Sequence, residues 1–478
     1  MSFSDILLMR NELLLIIALV VILIADISFD KENRKTFYIF SVFLILVVTV
    51  ASFIPAPSGS LFGGMYHTGP LQMVMKSILN IATLLVILQS WGWLNGIGQR
   101  RKSGEFILLL LSTLIGMGYM ISATHFIMFF LGLELATIPL AALAAFDSDK
   151  SKSAEAGIKF ILLAAFSSGI LLFGISLIYA ISGSMYFTDV ISNIGESPLV
   201  SLGLVLLFTG LAFKISMVPF HLWTADVYEG APINVTSYLS VVSKGAAIFI
   251  LLIVLHTVFG GLIHLWDPII YTMIILTITI GNLFAIRQKN IKRFLAFSSI
   301  AQAGFILLGV LNTGGLGVAT VVYFVLIYVF SNLAAFGVAA IISVETGKES
   351  IDDYKGFYST NPRLSLVMML AMFSLAGIPP VAGFFGKFFL FTAAAEKGYF
   401  ILVLIAVVNS IIALYYYLIV VKVMFIDKTE HPIQGFKSNL PMRISLIICV
   451  LGIIVTGLYG GIFDHLVDVA SHIVSFIH

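Results

Sequence analysis

Charged residues are scarce in this chain. Only 10% of its 478 residues are Asp, Glu, Lys or Arg and 60% are hydrophobic, whereas a soluble domain carries roughly 25% charged residues. The mean hydropathy is +1.08. These values exclude a soluble globular protein and predict an all-α, multi-pass membrane protein. With a formal net charge of only +2, the composition gives no reason to expect a nucleic-acid partner.

Cysteine is nearly absent as well, since Cys449 is the only one. A single thiol excludes a disulfide framework and a multi-cysteine metal or iron–sulfur site within the chain. The sequence also lacks a Gly-rich dinucleotide loop after a strand, a Cys-x-x-Cys-His haem motif and a spaced His/Cys metal set. We therefore predict no cofactor-binding and no metal-binding residues in this chain, and any redox chemistry must occur elsewhere.

Long apolar runs, by contrast, are abundant. A helix needs roughly 20 mostly apolar residues to cross a bilayer, and fourteen such candidates are present. An even number of spans places both termini on one side of the membrane. The candidates are centred near residues 19, 46, 83, 113, 135, 170, 210, 247, 277, 302, 329, 379, 411 and 453.

Lys and Arg are distributed unequally among the connections between spans. Of the 26 basic residues, 18 lie in odd-numbered connections and two, Arg10 and Lys397, lie on the opposite face. Because cytoplasmic loops are rich in Lys and Arg, the odd connections are predicted to be cytoplasmic and both termini to lie outside. The 18 residues are Lys31, Arg34, Lys35, Arg100, Arg101, Lys102, Lys150, Lys152, Arg287, Lys289, Lys292, Arg293, Lys348, Lys355, Arg363, Lys428, Lys437 and Arg443.

Six lysines remain within or at the edges of the predicted spans, and Lys214, Lys244 and Lys387 have the least obvious structural explanation. A cation near the bilayer centre costs about 2.5–3.5 kcal/mol even on the lenient insertion scale, so such residues are functional candidates by default. The alternative is a buried lysine whose hydrogen bonds are satisfied by its neighbours. We favour the functional interpretation for these three.

The other three lysines are easier to explain. Lys76 and Lys422 lie near the ends of spans three and thirteen, where a long side chain can snorkel to the interface. We therefore expect both to be structural. Lys159 lies only a few residues into span six, and its position alone does not decide between the two interpretations.

One carboxylate lies deep in a span. Glu134, in the stretch Leu-Gly-Leu-Glu-Leu-Ala, is about ten residues into span five, which at roughly 1.5 Å per residue is near mid-bilayer. Beside a lysine, such a carboxylate can share a proton with the amine. A purely structural Glu134–lysine pair is the alternative, although desolvation makes buried pairs poor stabilisers.

Two spans are interrupted by proline. Pro219 lies in span seven, five residues after Lys214, and the pair Pro379 and Pro380 lies in span twelve, ahead of Lys387. Proline removes a backbone donor, which a membrane tolerates only where neighbours or water satisfy the backbone. Spans five apart cross the membrane in opposite directions, so the two breaks predict inverted repeats around a transport site.

The predicted domain organisation follows from these repeats. Residues 1–98 hold spans one to three, and residues 99–262 form the first repeat, spans four to eight. Residues 263–426 form the second repeat, spans nine to thirteen, and residues 427–478 hold span fourteen.

His221 is a further candidate in span seven. It follows Lys214 by seven residues, two turns along one face of an intact helix. A water molecule or a moving side chain can bridge that separation. The alternative is an interface residue, because a lone histidine at a helix end more often has that role.

At these residues the sequence resembles the antiporter-like subunits of proton-pumping NADH:quinone oxidoreductase, respiratory complex I, and their relatives in multisubunit cation/proton antiporters. The likeness covers nearly the whole chain. The run Lys-x-x-x-x-Pro-Phe-His-x-Trp-x-x-Asp-x-Tyr-Glu-Gly-Ala-Pro, residues 214–232, is highly specific. The other matching stretches are Glu134 in its Leu-Glu-Leu context, Lys244 on span eight, residues 293–300 opening span ten, and residues 377–387.

The resemblance implies roles for individual residues. In that family the counterparts of Glu134 and Lys214 pair with each other. The counterparts of Lys159 and Lys244 pass the proton inward along a hydrated central axis, which makes Lys159 a candidate here. The counterpart of Lys387 serves the outer half of the path.

One position departs from the family pattern. Gln302 stands where the family usually has a histidine. A glutamine can hydrogen-bond water but does not titrate. The gating or relay role of that histidine is therefore in question for this chain.

The expected function is proton translocation through a buried Glu/Lys relay in the bacterial inner membrane, driven by redox chemistry in other subunits of NADH:quinone oxidoreductase. The resemblance implies partners among the other membrane subunits, including the other antiporter-like ones, besides lipid, protons and internal water. FMN, iron–sulfur clusters and quinone are expected in other subunits. The alternatives are a subunit of a cation/proton antiporter driven by an imposed gradient and a purely structural membrane scaffold.

Overall fold

A computed structural model of the chain describes residues 7–29, 33–96 and 102–477. Lys31, Arg100 and Arg101, which contribute to the predicted orientation, lie outside the described residues. The predicted domain boundary at residue 98 lies outside them too. The orientation and the four predicted domains stay predictions.

Nearly all of the described chain is helical. A short antiparallel hairpin pairs β1 (Gly59–Leu61) with β2 (Tyr66–Thr68), with Ser60 opposite His67. The helices in the first half are α1 (Arg10–Ser28), α2 (Arg34–Ala51), α3 (Pro70–Leu94), α4 (Ser103–Ile121), α5 (Phe126–Ala144), α6 (Ser151–Ser182), α7 (Phe187–Asn193), α8 (Pro198–Ile215), α9 (Leu222–Gly230) and α10 (Ile233–Val258). Those in the second half are α11 (Ile263–Ile286), α12 (Ile291–Val310), α13 (Gly315–Thr346), α14 (Phe357–Thr360), α15 (Pro362–Ala376), α16 (Ala382–Glu396), α17 (Phe400–Phe425), α18 (Leu440–Leu458) and α19 (Gly461–Ile477).

The helix lengths confirm the predicted fold class. Within the described residues, 13 helical segments are long and apolar enough to cross a membrane. The shorter helices α15 and α16 occupy the position of the remaining predicted span, number twelve, and are separated by residues 377–381. The chain is thus an all-α polytopic membrane protein with about fourteen spans. The C-terminal helix α19 is not predicted by the span count.

The chain packs as two compact units. The first contains Met1–Ile87, Trp93–Lys214 and Val242–Trp266. The second contains Leu88–Gly92, Ile215–Val241 and Asp267–His478. Helices α10, α12 and α13 are almost completely buried, whereas α1 and α2 leave most of their residues at least partly exposed, as lipid-facing helices do.

Small residues bring α4 and α5 of the first unit unusually close. A Cβ atom added to Gly116 would collide with the backbone nitrogen of Ala136, and one added to Gly132 would collide with that of Met120. Membrane helices pack through such small residues because lipid offers no hydrophobic driving force between them. This close packing fixes the face of α5 on which Glu134 lies.

Matching features recur in the two halves of the chain. Helices α6 and α13 each have 32 residues, and each ends at a left-handed glycine, Gly183 or Gly347, with φ 70°. Helices α10 and α17 span 26 residues each. These correspondences support the predicted duplication, and the opposite membrane orientation of the two repeats stays a prediction.

A matching close contact strengthens this interpretation. In the second unit, a Cβ atom added to Gly281 of α11 would collide with the backbone nitrogen of Ala301 in α12. Gly281 and Ala301 lie 165 residues after Gly116 and Ala136, which make the equivalent contact in the first unit. A shared spacing therefore relates positions in α4 and α5 to positions in α11 and α12.

Candidate functional site

The helix in span seven breaks immediately after Lys214. Helix α8 ends at Ile215, Ser216 follows in the left-handed conformation with φ 66°, and α9 begins at Leu222. The peptide bond Val218–Pro219 is cis. Within the break, the backbone N–H of Val218 donates to the hydroxyl of Thr277 at 3.1 Å, so a side chain satisfies a group that the helix does not.

The break in span twelve repeats this backbone pattern. Helix α15 ends at Ala376, and Gly377 follows in the left-handed conformation with φ 88°. The peptide bond Pro379–Pro380 is cis, and α16 begins at Ala382. Gly377 and Pro380 lie 161 residues after Ser216 and Pro219. The same turn therefore interrupts both spans.

Lys214 is held inside the first unit by α5 and α6. Its side chain is buried, and its ammonium group donates a hydrogen bond to the hydroxyl of Thr137. That hydroxyl donates in turn to the carbonyl of Leu133, so its lone pairs remain available to the lysine. The ring of Phe160 lies 5.8 Å from the ammonium nitrogen, within cation–π range.

Glu134 lies one turn before Thr137 on the same face of α5. The carboxylate is partly buried and attracts Lys214 electrostatically. Its Oε1 atom is shielded from solvent and has no hydrogen-bond partner among the described residues. The structure therefore has Lys214 hydrogen-bonded to the threonine, with an unsatisfied carboxylate oxygen one turn away. The i,i+3 spacing is the only sequence signal that points to Thr137.

A small cavity adjoins Lys214 within the first unit. Its lining includes Met117, Met120, Leu211, Lys214 and Ser243. Ser243 ends the π-helical turn Leu239–Ser243, and Lys244 follows it directly in α10. Such π-turns are frequent at functional sites. Lys244 is buried, with 2% of its side chain exposed.

Lys387 is held at a helix end in the second unit. Its ammonium group donates to the carbonyl of Ala376 at 2.9 Å and to the hydroxyl of Ser410 at 3.2 Å. Ala376 is the last residue of α15, so the cation faces the negative end of that helix dipole. The ring of Phe305 lies 4.7 Å from the ammonium nitrogen.

Gly377 makes room for Lys387. A Cβ atom at this position would lie 3.1 Å from Cδ of the lysine, and its φ of +88° favours glycine in any case. The left-handed turn thus allows the lysine of α16 to reach back to the end of α15. The ammonium group consequently lies beside the broken helix although its Cα follows the break.

Gln302 joins three helices of the second unit. Its amide nitrogen donates to the carbonyl of Leu375 at 2.9 Å and to the hydroxyl of Tyr417 at 3.0 Å. The same tyrosine hydroxyl is 2.6 Å from that of Ser298. Gln302 therefore keeps a hydrogen-bonding connection among these helices, and its amide cannot change charge.

A second hydroxyl cluster links α10 to α13. The hydroxyl groups of Ser240 and Tyr328 are 2.9 Å apart, and the amide of Asn332 donates to both, at 2.6 Å and 2.8 Å respectively. All three residues are buried in the second unit. The amide oxygen of Asn332 is buried and has no hydrogen-bond partner among the described residues, so the cluster keeps a free acceptor.

His221 and Lys159 differ in their surroundings. His221 is buried at the start of α9 and makes contacts there, so it does not lie on an exposed surface of the chain. Lys159 is 41% exposed and forms an ion pair at 2.7 Å with Glu155, one turn earlier on α6. The structure does not include Lys159 in the cavity beside Lys214, and its predicted role stays a prediction.

The predicted environment of Lys76 is wrong. Lys76 is buried, not directed to the interface, and its ammonium group forms an ion pair at 2.6 Å with the fully buried Glu12. The hairpin β1–β2 supplies Tyr66 against this lysine, which its position in the sequence alone does not reveal. The predicted exposure of Lys422 is confirmed, because its side chain is 60% exposed and lies 3.5 Å from Asp427. That either lysine is purely structural stays a prediction.

A bundle of membrane-spanning helices, two of them broken beside buried lysines, is typical of ion-translocating membrane proteins. The chain belongs to the family described as NADH:quinone oxidoreductase/Mrp antiporter, whose membrane region matches residues 123–413. NADH-quinone oxidoreductase subunit N of Phocaeicola vulgatus is 52% identical over 471 residues, covering 98% of this chain and 100% of that protein. Subunit N of Azobacteroides pseudotrichonymphae is 49% identical and covers 98% of each chain.

Solved structures agree with this assignment. A chain of respiratory complex I from Thermus thermophilus with bound aureothin is 28% identical, with a TM-score of 0.80 over 95% of this chain and 99% of that chain. A chain of the Mrp complex from Dietzia sp. DQ12-45-1b is 20% identical, with a TM-score of 0.86 over 100% of this chain and 99% of that chain. The second likeness establishes the fold alone.

Proposed function

We propose that this chain is the antiporter-like subunit N of a bacterial NADH:quinone oxidoreductase and translocates protons without carrying out redox chemistry itself. The relatives that share 52% and 49% of its residues bear that subunit's name. In this proposal FMN, iron–sulfur clusters and quinone belong to other subunits. The chain lies in the inner membrane with both termini on the outer side, as the distribution of Lys and Arg predicts.

The observation that carries the proposal is the arrangement of Lys214. A buried ammonium group, a threonine acceptor and an incompletely satisfied carboxylate share one site beside a helix break. A charge in such a place is costly unless it is paired. The site therefore favours changes in pairing or hydration, which is what a proton relay requires.

The proton enters the relay at Glu134 and Lys214. Movement of the lysine between its α5 partners and the cavity at Ser243 alternately strengthens and weakens its attraction to Glu134. The cavity adjoins the start of the Lys244 helix segment, so water in it extends the path in that direction. Lys244 receives the proton next in this scheme, and Lys159 and His221 assist its entry.

Lys387 serves the outer half of the path. Its acceptors are a backbone carbonyl and a serine, neither of which titrates near neutral pH. Its protonation therefore follows access of water rather than a partner's charge. Neighbouring membrane subunits, other antiporter-like ones among them, supply the conformational or electrostatic signal that drives the cycle.

Lys214→Met tests the proposal. The assembled complex, reconstituted in liposomes, is expected to oxidise NADH while losing this subunit's whole share of pumped protons per electron. Lys422→Met is the matched control, because it removes a lysine that is 60% exposed at a span end. Full pumping by assembled Lys214→Met complexes contradicts the proposed relay.

The cation/proton antiporter is the second candidate, supported by the family description and by the shared fold of the Mrp chain. Purification of the chain with its native partners separates the two. Flavin and iron–sulfur absorbance that travels with the chain supports the oxidoreductase. Sodium-dependent proton exchange by a complex without such absorbance supports the antiporter.

A further inference from the structure

A second buried Glu–Lys pair lies far from Lys214 in the sequence. Glu12 of α1 is 0% exposed, Lys76 of α3 is 3% exposed, and their charged atoms are 2.6 Å apart. Both residues precede the family match at residues 123–413. Nothing in the relay described above uses them.

A closed set of hydrogen bonds surrounds the pair. The hydroxyl of Tyr66 donates to Oε2 of Glu12 at 2.8 Å and accepts from Lys76 at 3.0 Å. Lys76 also donates to the hydroxyl of Ser122 at 2.6 Å. Oxygen and nitrogen atoms at these distances form a continuous connection along which a proton can be shared.

The pair borders a small cleft. Its lining combines apolar residues with Arg10, Asn11, Ser52 and Thr68, besides Glu12 and Lys76 themselves. The hydrogen-bonding groups of this lining are suited to holding water. A purely structural ion pair does not need water to reach it. Buried pairs also contribute little to stability, because desolvation offsets their attraction.

Other titratable groups face the pair from each neighbouring element. Arg10 lies on α1, Tyr119 on α4 interacts with the carboxylate, and His67 on β2 interacts with the ammonium group. Burial, with a contribution from the charge of Lys76, lowers the pKa of His67 below its ordinary value. The histidine is therefore neutral at pH 7, and the local charge balance rests mainly on Glu12, Lys76 and Arg10.

Helix α4 contacts both Glu–Lys sites. On α4, a Cβ atom added to Gly118 would lie 2.8 Å from Oε1 of Glu12, so the carboxylate packs against the helix backbone. Met117 and Met120 of the same helix line the cavity at Lys214. Ser122, which accepts from Lys76, caps the end of α4. A change in charge at the pair thus acts on a helix that also borders the relay.

We propose that Glu12 and Lys76 form a second proton-exchanging pair, which exchanges protons with water in the adjoining cleft on the outer side of the membrane. Proton uptake by the Glu12 carboxylate takes the pair from zero net charge to +1 and breaks its ion pair. Release to water reverses the step, so protons and charge balance without another reactant. This inference rests on the proposed function, because it assumes that the subunit translocates protons.

Glu12→Gln tests the pair in the complete complex reconstituted in liposomes. Glutamine keeps the shape of the side chain but cannot take up a proton. We expect assembly and uncoupled NADH oxidation to match the wild type, while pumped protons per electron fall by the same fraction as in Lys214→Met. Asp26→Asn is the matched control, since it breaks another ion pair of α1, that of Asp26 with Arg34.

The outcomes separate the two proposals. Normal pumping by assembled Glu12→Gln complexes, with pumping reduced in Lys214→Met, overturns the second pair alone. Normal pumping by Lys214→Met overturns the proposed function. If Glu12→Gln does not assemble, the double variant Glu12→Gln/Lys76→Gln removes both charges. Reduced pumping by the assembled double variant supports the proposal. Normal pumping overturns it, because the pair is then dispensable, and failure to assemble overturns it by assigning the pair a structural role.

Discussion

The two broken helices hold their lysines in different chemical surroundings. Lys214 precedes its break, in the last turn of α8, and has a threonine and a carboxylate on α5 as partners. Lys387 follows its break, in α16, and reaches back to the carbonyl that ends α15. Both lysines thus belong to a broken span, but of the two only Lys214 has a carboxylate as an electrostatic partner among the described residues.

This difference separates two ways of controlling a buried proton. A carboxylate can gain or lose charge, so Glu134 can alter the electrostatic environment of Lys214. The carbonyl of Ala376 and the hydroxyl of Ser410 are neutral and do not titrate near pH 7. They therefore hold the ammonium group of Lys387 without changing the charge around it. The first site is suited to receiving a signal and the second to responding to water.

Two constant spacings relate a hydrogen bond in the first half of the chain to one in the second half. Gln302 lies 165 residues after Thr137, the spacing set by the glycine–alanine contacts. Leu375 lies 161 residues after Lys214, the spacing set by the two breaks. Thr137 accepts a hydrogen bond from Lys214, and Gln302 donates one to the carbonyl of Leu375. Positions related by these spacings therefore form a hydrogen bond in both halves of the chain, with a cation as the partner in one and the backbone in the other.

Lys387→Arg is expected to have the largest effect. Arginine keeps the positive charge beside the end of α15, but its guanidinium group does not release a proton in proteins. Assembly should persist while this subunit's share of pumped protons is lost completely. Pumping per electron in liposomes measures the loss, and Lys397→Arg, the same change at an exposed lysine, is the control.

Normal pumping by Lys387→Arg would mean that the second site needs only a fixed charge. Lost pumping in Lys387→Arg has two explanations, the lack of proton release and a guanidinium group too bulky for the site. Lys387→Met distinguishes them, because methionine has neither the charge nor that bulk. Loss of pumping in both variants, with assembly retained, supports a titrating lysine.

Thr137→Val is expected to have an intermediate effect. Valine keeps the shape of threonine but removes an acceptor from a charged donor, a hydrogen bond worth about 1.5–3 kcal/mol. Coupled turnover should fall by roughly tenfold or more if this bond supports the working state. The steady-state rate of pumping measures the change, and Thr137→Ser should restore most of it.

Thr209→Val is the control for this change. Thr209 lies on α8, is partly buried and donates to the carbonyl of Val205 in its own helix, so this hydrogen bond does not involve the relay residues. An equal loss of turnover in the two variants would assign the effect to general destabilisation. Unchanged turnover in Thr137→Val would leave Glu134 as the sole control on Lys214.

The sequence was sufficient for the architecture because its physical causes are local. Apolar length predicts the spans, and Pro219, Pro379 and Pro380 predict where two of them are interrupted. These prolines lie within residues 216–221 and 377–381, where the structure has no helix. The burial of Lys214, Lys244 and Lys387 follows from the length of the spans around them. Each of these conclusions needs only neighbouring residues.

The partners of those lysines were not predictable, because they depend on which helix faces meet. Thr137 is one of many threonines until α5 and α8 are placed together. Lys76 is near a span end, and this position predicted that its side chain reaches the membrane interface. In the structure the hairpin and Glu12 cover the side chain instead. Pairing across 64 residues leaves no periodic signal in a single chain.

Ser410→Ala is expected to have the smallest effect. It removes one of two acceptors from Lys387, and the carbonyl of Ala376 remains at 2.9 Å to hold the ammonium group. The bond that is lost is the longer of the two, at 3.2 Å, and the ammonium group keeps its shorter bond, so coupled turnover should fall only roughly twofold. The same pumping assay measures it, with Ser176→Ala, at an exposed serine, as control. The carbonyl of Ala376 is a backbone group and remains in the Ser410→Ala variant. A loss as large as that of Thr137→Val would therefore show that this carbonyl alone does not hold Lys387.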